Sequence, residues 1–408
     1  MNRVTCRSGI RIQPQPQPRT AQMPPLATLS TSPVHRMNSS SQGHRGNSSS
    51  TAQRDSQTLK LPDGRVLGFA EYGSPTGKPV FFFHGFPSSR LEAEGILKLA
   101  YRPDLRIIAP ERPGFGLSTF NPHHRITDYP ADVHALATHL GLPRFAILGG
   151  SGGAPYALAC ARALPAEMMS AVGLLAPAAP WREGGIGGVP YSSRITALAA
   201  YYWPSALTAI SAGVVGLCRW LATTGFVARR IDSWLEAMRV KDADLPASPT
   251  SASTSPSSAN PSIPSTSPSP PLISSPPTTK SADRKKSTQE TREALLRTIF
   301  ETFRQGTAPM VRESQLLTWE GWGFPLNEVR HDNILIWHGV EDGQSPIAMV
   351  RDLARQLPQC ELREFEGETH FTLARKQLGA LLEQLIPIEG KPQRGEEANG
   401  GMMMRCKM

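Results

Sequence analysis

The sequence predicts an α/β fold, a doubly wound, mostly parallel sheet of eight strands with a helical cap inserted into it. Short apolar runs alternate with segments of helical period along most of the chain. Two strands joined at Asp63-Gly64 form an opening hairpin. About 155 residues separate the sixth predicted strand from the seventh, which is too many for a connection between neighbours. The inserted segment is therefore expected to form a separate helical layer.

The predicted strands are short apolar runs, and those in the middle of the chain read as buried on both faces. They run from Thr58 to the Asp63-Gly64 turn, and over Val66–Tyr72, Val80–Phe83, Arg106–Ala109, Phe145–Leu148, Ala171–Leu175, Asn333–Trp337 and Glu361–Phe365. Helices between them are expected at Ser89–Ala100, Tyr129–Leu140, Ala154–Ala163, Pro346–Leu357 and Thr372–Leu385.

The run Phe145–Gly153 places Ser151 at the junction of a buried strand and a helix. Glycines on both sides allow the strained turn that exposes a nucleophilic serine, and the start of the helix adds free amides. Ser151 is therefore the predicted nucleophile. A Gly-rich turn of a parallel sheet without a catalytic role is the alternative interpretation of this run alone.

A serine hydroxyl needs a base within hydrogen-bond reach and a carboxylate that orients the base. His370 lies in a loop after the last predicted strand, and Asp342 follows the strand that ends at Trp337. Both belong to the carboxyl edge of the sheet, where catalytic groups of open α/β sheets collect. Glu341 and Glu183 are weaker candidates for the acid, because strand alternation directs Glu341 away and no turn frames Glu183.

The oxygen of an attacked carbonyl needs fixed hydrogen-bond donors. The buried strand Val80–Phe83 runs into the turn His84-Gly85-Phe86-Pro87. The backbone amides of Phe86 and Gly152 are the predicted oxyanion hole. His84 is expected to brace this turn by hydrogen bonds to the backbone rather than to act as the base.

Together these segments resemble the α/β-hydrolase superfamily over most of residues 57–386 outside the insertion. The segments that carry the resemblance are His84–Pro87, Glu111–Ser118, Gly149–Gly153, His338-Gly339 with Asp342, and His370. The resemblance implies that Ser151 is the nucleophile, that His370 is the general base and acid, and that Asp342 orients it. No cofactor or metal is expected.

Two positions depart from the pattern of this superfamily. Glu111 stands where relatives often have Asp, and Thr369 stands where Gly often precedes the histidine. Neither touches the chemistry directly. The turn at His84–Pro87 is also frequent in epoxide hydrolases and dehalogenases of the same fold, but those use an aspartate nucleophile. Ser151 at the strand-to-helix turn argues against that route.

The net charge of +9 is concentrated in residues 1–55, which hold seven arginines and one acid. No basic groove with interleaved aromatic residues is evident, so nucleic acid is not an expected partner. Five scattered cysteines without paired spacing argue against a disulfide framework or a zinc site and favour the cytoplasm. The Arg- and Ser-rich, acid-poor start also fits a mitochondrial transit peptide, although its prolines would interrupt a helix.

Composition shifts divide the chain into a core, an insertion and two polar ends. The predicted domains are a disordered basic arm at 1–56, core segments at 57–178 and 327–387, a helical cap at 179–326 with a disordered Ser/Pro/Thr-rich loop at 245–287, and a polar tail at 388–408.

The uncharged stretch Ile195–Cys218 is long enough to cross a bilayer. A crossing inside the insertion would place the two halves of the sheet on opposite sides of the membrane. No transmembrane span is therefore expected, and the apolar helices of the cap are expected to pack over the site. Association of the cap with a membrane surface is the alternative.

The predicted function is hydrolysis of a carboxylic ester of an apolar small molecule through an acyl-enzyme. Aromatic residues of the cap suggest the apolar substrate, although packing of cap onto core is the expected role of any single one. They are Tyr191, Tyr201, Tyr202, Trp203, Trp220, Trp319 and Trp322. A peptidase or carbon–carbon bond hydrolase with the same triad, a non-catalytic ligand-binding relative, and an arm that tethers the chain to a partner remain alternatives.

Overall fold

The structure, a computed structural model, describes residues 54–100, 102–181, 187–243, 287–388 and 402–407. The predicted basic arm and the Ser/Pro/Thr-rich loop lie outside these ranges, apart from residues 54–56 and 287. Glu183 lies outside them as well.

Nine strands in the described part of the chain form one sheet. They are β1 Gln57–Lys60, β2 Val66–Gly73, β3 Lys78–Phe83, β4 Leu105–Pro110, β5 Phe145–Gly150, β6 Met169–Leu175, β7 Ile334–Gly339, β8 Gln359–Phe365 and β9 Met402–Lys407. Their order across the sheet is β1-β2-β4-β3-β5-β6-β7-β8-β9. The strands β3 to β8 are parallel to one another, whereas β1 and β2 at one edge and β9 at the other pair antiparallel.

Ten helices of the described residues are numbered here in chain order. They are α1 Glu92–Ala100, α2 Tyr129–His139, α3 Ala154–Ala163, α4 Tyr191–Tyr202, α5 Pro204–Thr223, α6 Gly225–Ala243, α7 Thr288–Glu301, α8 Ala308–Thr318, α9 Ile347–Gln356 and α10 His370–Leu385. The helices α2, α3 and α9 cover one face of the sheet, and α1 and α10 cover the other.

The central strands are buried on both faces, which explains their continuous apolar sequences. In β5, Phe145 and Ile147 join the apolar cluster on one face, whereas Ala146 and Leu148 join the cluster on the other. Because β3, β5, β7 and β8 are parallel, their carboxyl ends meet at a single edge of the sheet. That edge receives the residues that follow each of these strands.

The predicted fold class is confirmed, and a strand lies at each of the eight predicted positions. The sheet contains one strand more than predicted, because β9 pairs with β8 in the segment where a polar tail was expected. Its sequence, three methionines followed by Arg, Cys and Lys, lacks the alternation and the β-branched or aromatic residues that would mark a strand. The insertion between β6 and β7 contributes the five helices α4 to α8.

Candidate active site

Ser151 sits at the sharp turn between β5 and α3. Its φ of 49° lies in the left-handed region, which is strained for a residue with a side chain. The backbone around it is too crowded for larger neighbours, since a Cβ added at Gly153 would lie 2.2 Å from the Phe83 carbonyl oxygen. Gly149 and Gly153, one on each side of Ser151, therefore permit the turn that lifts the serine hydroxyl above the edge of the sheet.

Three side chains that are far apart in sequence meet at this edge. The Nε2 atom of His370 lies 3.1 Å from Ser151 Oγ, and its Nδ1 atom lies 2.7 Å from Asp342 Oδ2. The other carboxylate oxygen of Asp342 accepts the backbone N–H groups of Gln344 at 2.8 Å and Ser345 at 2.9 Å. Every oxygen of the carboxylate thus has a partner, and the imidazole is held between acid and hydroxyl.

The environment of Asp342 favours its ionised form. The side chain is buried, which by itself would raise its pKa, but the hydrogen bond and charge of His370 outweigh burial and lower the pKa below its ordinary value. Burial also lowers the pKa of His338, which lies 3.7 Å from Asp342 Oδ2. The Nε2 atom of His338 is 2.8 Å from the Ser345 carbonyl oxygen and so fixes the loop that carries the acid.

The other sequence candidate for the acid that the structure describes is not in this arrangement. Glu341 is exposed, and its backbone N–H donates to the Glu368 carbonyl oxygen. The turn after β7 therefore directs one of two adjacent carboxylates inward and the other to solvent.

The predicted oxyanion turn lies directly beside the nucleophile. A Cβ added at Gly152 would be 2.6 Å from Phe86 Cβ and 3.3 Å from the Phe86 nitrogen, so the two backbone segments are in close contact. His84, fully buried, lies against the backbone: its Nδ1 is 2.9 Å from the Gly85 carbonyl oxygen, and its Nε2 accepts the Arg112 N–H. Burial, and then the charge of Arg112, hold the pKa of His84 well below its ordinary value. A neutral, backbone-bonded histidine fits the bracing role expected from the sequence.

Arg112 connects this turn to the cap, a link that the sequence analysis did not identify. Its guanidinium donates to the carbonyl oxygens of His84 at 2.5 Å and Gly85 at 2.9 Å. Its Nε atom pairs at 2.8 Å with Glu313 of α8, and both side chains are fully buried. Glu313 also accepts the Tyr156 hydroxyl at 2.7 Å. Burial opposes ionisation of Glu313, but Arg112, His124 and Tyr156 together outweigh burial and lower the pKa of Glu313.

The sequence comparisons find one family model, described as alpha/beta hydrolase fold, that matches residues 78–192. This match contains the predicted oxyanion turn and the Ser151 turn. The chain has the α/β-hydrolase fold, and residues 78–192 resemble that family in sequence.

The proteins that resemble this chain in sequence differ in their named activities. Proline iminopeptidase of Xanthomonas citri is 36% identical over 110 residues, 26% of this chain and 34% of that protein. Non-heme haloperoxidase of Rhodococcus erythropolis is 35% identical over 92 residues, 22% of this chain and 33% of that protein. The chain thus matches about a third of the length of these relatives.

Solved structures show the same fold at low sequence identity. An esterase from Exiguobacterium antarcticum aligns with a TM-score of 0.51 at 16% identity, covering 81% of this chain and 99% of the esterase. A bromoperoxidase from Bacillus anthracis aligns with a TM-score of 0.50 at 13% identity, covering 81% of this chain and 99% of the other. The alignments establish the architecture of the α/β-hydrolase core.

A cavity of about 330 Å³ lies above Ser151 and His370. Its cap side consists of short hydroxyl and small side chains from α4 together with Leu317 of α8, and Trp181 and Met349 contribute apolar surface. Among the residues that the structure describes, neither Asp nor Glu lines this cavity. It therefore offers an apolar chamber with a few hydroxyl groups beside the nucleophile.

A second cavity, of about 450 Å³, reaches the same Ser151 and His370 from the core side and contains Glu92. One carboxylate oxygen of Glu92 accepts the Gly85 N–H at 2.9 Å. Loss of solvation raises the pKa of Glu92 above its ordinary value. Sequence reasoning missed this residue, because its only local context is the first turn of an ordinary helix.

The prediction that the apolar cap helices pack over the site is correct for α4 and α8, which line the first cavity, and wrong for α5, which has no buried residue. Among the seven aromatic residues singled out in the sequence, Trp322 is buried and the others are largely exposed. Two other aromatic residues, Phe86 and Trp181, do line the cavity. No group of three or more possible metal ligands occurs in the described ranges.

Proposed function

We propose that this chain is a serine hydrolase that cleaves a carboxylic ester of an apolar small molecule through an acyl-enzyme. The observation that carries the proposal is the contact series from Ser151 Oγ through His370 to Asp342, at 3.1 Å and 2.7 Å. A hydroxyl, an imidazole and an ionised carboxylate in series can generate a nucleophile at neutral pH.

In the proposed reaction, Ser151 Oγ attacks the ester carbonyl while His370 Nε2 takes the hydroxyl proton. The oxygen that becomes negative is stabilised by the amides of Phe86 and Gly152. His370 then gives its proton to the leaving alcohol, and the acyl group remains on Ser151. A water molecule, deprotonated by His370, releases the carboxylic acid and restores the serine.

The apolar substrate is inferred from the lining of the first cavity. Trp181, Leu317 and Met349 present apolar surface, and none of the described Asp, Glu, Lys or Arg side chains lines the cavity. A charged acyl group would lose its hydration there without a partner, whereas an apolar group gains from burial.

A peptidase is the second candidate, and Glu92 is the observation that favours it. Its carboxyl group lies in the cavity that opens on the other side of the same serine, where it could pair with a substrate amino group. Several sequence relatives are named proline iminopeptidases. Against this reading, the raised pKa of Glu92 favours its neutral form until a cation binds.

The two candidates are separated by a substrate panel. The purified chain is offered p-nitrophenyl esters of increasing acyl length and proline p-nitroanilide, with Ser151→Ala as the inactive reference. The proposal predicts saturable ester hydrolysis that is fastest for a medium-length acyl chain and falls by at least about 10³-fold in Ser151→Ala. Ser192→Ala, which removes another hydroxyl of the same cavity, should keep most of the activity. Faster turnover of the anilide than of any ester would replace the ester proposal with the peptidase.

A further inference from the structure

The helix α5 presents an apolar surface that none of the described residues covers. It is the one helix of the described residues that is long and apolar enough to cross a membrane, and 0% of its most apolar 18-residue window is buried. Ile210 is 65% exposed, and Trp220 is 63% exposed. Side chains of this kind cost free energy in water, so a surface of this extent indicates a partner.

The exposed apolar residues form one continuous face on each of two consecutive helices. On α5 they recur at the four- and three-residue intervals of a helical stripe: Ile210, Val214, Leu217 and Leu221. On α4 the same intervals place Tyr191, Ile195, Leu198 and Tyr202 outward. The inward side of α4 contributes hydroxyl and small residues to the cavity above Ser151. The usual arrangement of an amphipathic helix, with its apolar side toward the protein, is therefore reversed in α4.

The charged residues in the sequence that forms these helices, up to Ile231, are all arginines. Residues 191–231 contain four arginines and neither an acidic residue nor a lysine. Arg229 and Arg230 on α6 are exposed. The first acid after this stretch, Asp232, is paired with Arg292 of α7. An apolar surface beside arginines is complementary to a layer of anionic head groups over hydrocarbon.

Contacts along its length hold α5 against the rest of the cap. The Thr307 hydroxyl donates to the Thr208 carbonyl oxygen at 2.8 Å, and Arg219 donates to the carbonyl oxygens of Phe300 and Phe303 at 3.2 Å. A helix attached at both of these points cannot leave the cap to cross a bilayer without breaking them. It can lie along a membrane surface as it stands.

We propose that the outer faces of α4 and α5 dock on the surface of an anionic lipid bilayer, with both helices in the plane of the interface. The exposed Tyr202, Trp203 and Trp220 are of the residue types that prefer the head-group level. The arginines of α6 add attraction to the negative lipids.

An aromatic row leads from this docking face to the cavity. The ring centres of Trp203 and Tyr202 are 5.9 Å apart, those of Tyr202 and Tyr201 5.0 Å, and Trp319 lies 6.0 Å from both Tyr201 and Trp181. Trp181 lines the cavity above Ser151. If the chain hydrolyses an apolar ester as proposed, this row gives the substrate a route from the bilayer to Ser151.

Sedimentation with vesicles tests the docking. The full chain is mixed with vesicles of phosphatidylcholine alone or with about 30% phosphatidylserine. The parent is expected to bind the anionic vesicles, and Ile210→Ser combined with Leu217→Ser should lower the partition coefficient at least about tenfold. Arg229→Glu combined with Arg230→Glu should lower it by a similar factor on anionic vesicles only. The matched control Ile299→Ser removes an exposed apolar side chain from α7 and should bind like the parent.

Every variant carries the same basic N-terminal segment, so differences between variants report the cap alone. Circular dichroism confirms that each is folded, which is expected because the replaced side chains are exposed. Ser151→Ala should bind vesicles like the parent, so that failure of docking and failure of hydrolysis are separate results. Equal binding by the parent and the Ile210/Leu217 variant would overturn the proposal. A second result would also overturn it: the parent does not bind vesicles but forms a dimer, and the Ile210/Leu217 variant is monomeric. The face would then be an interface between two copies of the chain.

Discussion

Replacing Asp342 with Asn tests how the imidazole of His370 is oriented. In the structure one carboxylate oxygen accepts the N–H groups of Gln344 and Ser345, and the other faces His370 Nδ1 at 2.7 Å. An Asn side chain has a single oxygen, and the two backbone donors require it at the first position. Its NH₂ group then faces Nδ1, which must act as an acceptor. The ring proton is forced onto Nε2, where it points at Ser151.

The expected loss follows from this wrong tautomer. An imidazole that carries a proton on Nε2 cannot take the proton of Ser151, and such a change lowers kcat/KM by about 10⁴, equivalent to about 5.4 kcal/mol at 1.36 kcal/mol per tenfold. Flipping the Asn amide does not restore activity, because its NH₂ group would then face the N–H groups of Gln344 and Ser345. Each of these donors would lose its acceptor, which costs about 1–3 kcal/mol per donor. The fold itself should survive, since the side chain keeps its shape.

The assay is kcat/KM on the best ester of the panel, with Glu341→Gln as the matched control. Glu341 is adjacent to Asp342 in sequence and is exposed, so Glu341→Gln should leave kcat/KM nearly unchanged. If Asp342→Asn retained kcat/KM within about tenfold of the parent, the orienting role of Asp342 would be refuted.

Three further variants test other parts of the account. Glu313→Gln leaves the buried Arg112 guanidinium without its counter-charge and should lower the free energy of unfolding, measured in urea, by about 3 kcal/mol. The control Glu320→Gln, at a partly exposed ion pair, should lower it by under about 1 kcal/mol. Equal losses in the two variants would contradict the buried pair. Because the pKa of Glu92 is raised in the folded state, its ionisation destabilises the fold as the pH rises above 4.5. Glu92→Gln should therefore raise the melting temperature near pH 8, and this gain should disappear below about pH 4. A gain that is the same at every pH would contradict the raised pKa. Gly152→Ala places a Cβ 2.6 Å from Phe86 Cβ in the predicted oxyanion turn and should lower kcat about tenfold to a hundredfold. The control Gly150→Ala, whose added Cβ has its nearest contact at 3.5 Å, should keep the parent kcat. Equal kcat values for the two variants would argue against this turn as the oxyanion site.

The core and the Ser151 turn were predictable because their signals are local. Four apolar residues followed by glycines indicate a buried strand and a tight turn, and the position of Asp342 after a similar strand places it at the same edge. Parallel pairing then determines which strand ends meet. The strand β9 carried no such signal, since its pairing depends on a neighbour about 40 residues earlier.

The contacts of the cap could not be predicted from local patterns. Arg112 and Glu313 are separated by about 200 residues, and nothing around either one indicates a buried pair. The period of α5 shows that one face is apolar but not which way that face points. Packing over the site was the natural expectation for such a face, and the structure turns it outward.

The most direct measurement of the central claim is labelling with a fluorophosphonate followed by intact mass and peptide analysis. The account predicts one phosphonyl group per chain on Ser151, none on Ser151→Ala, and much slower labelling of His370→Ala, because the imidazole at 3.1 Å activates the hydroxyl. Equal labelling of the parent and Ser151→Ala, or a label on another residue, would contradict it.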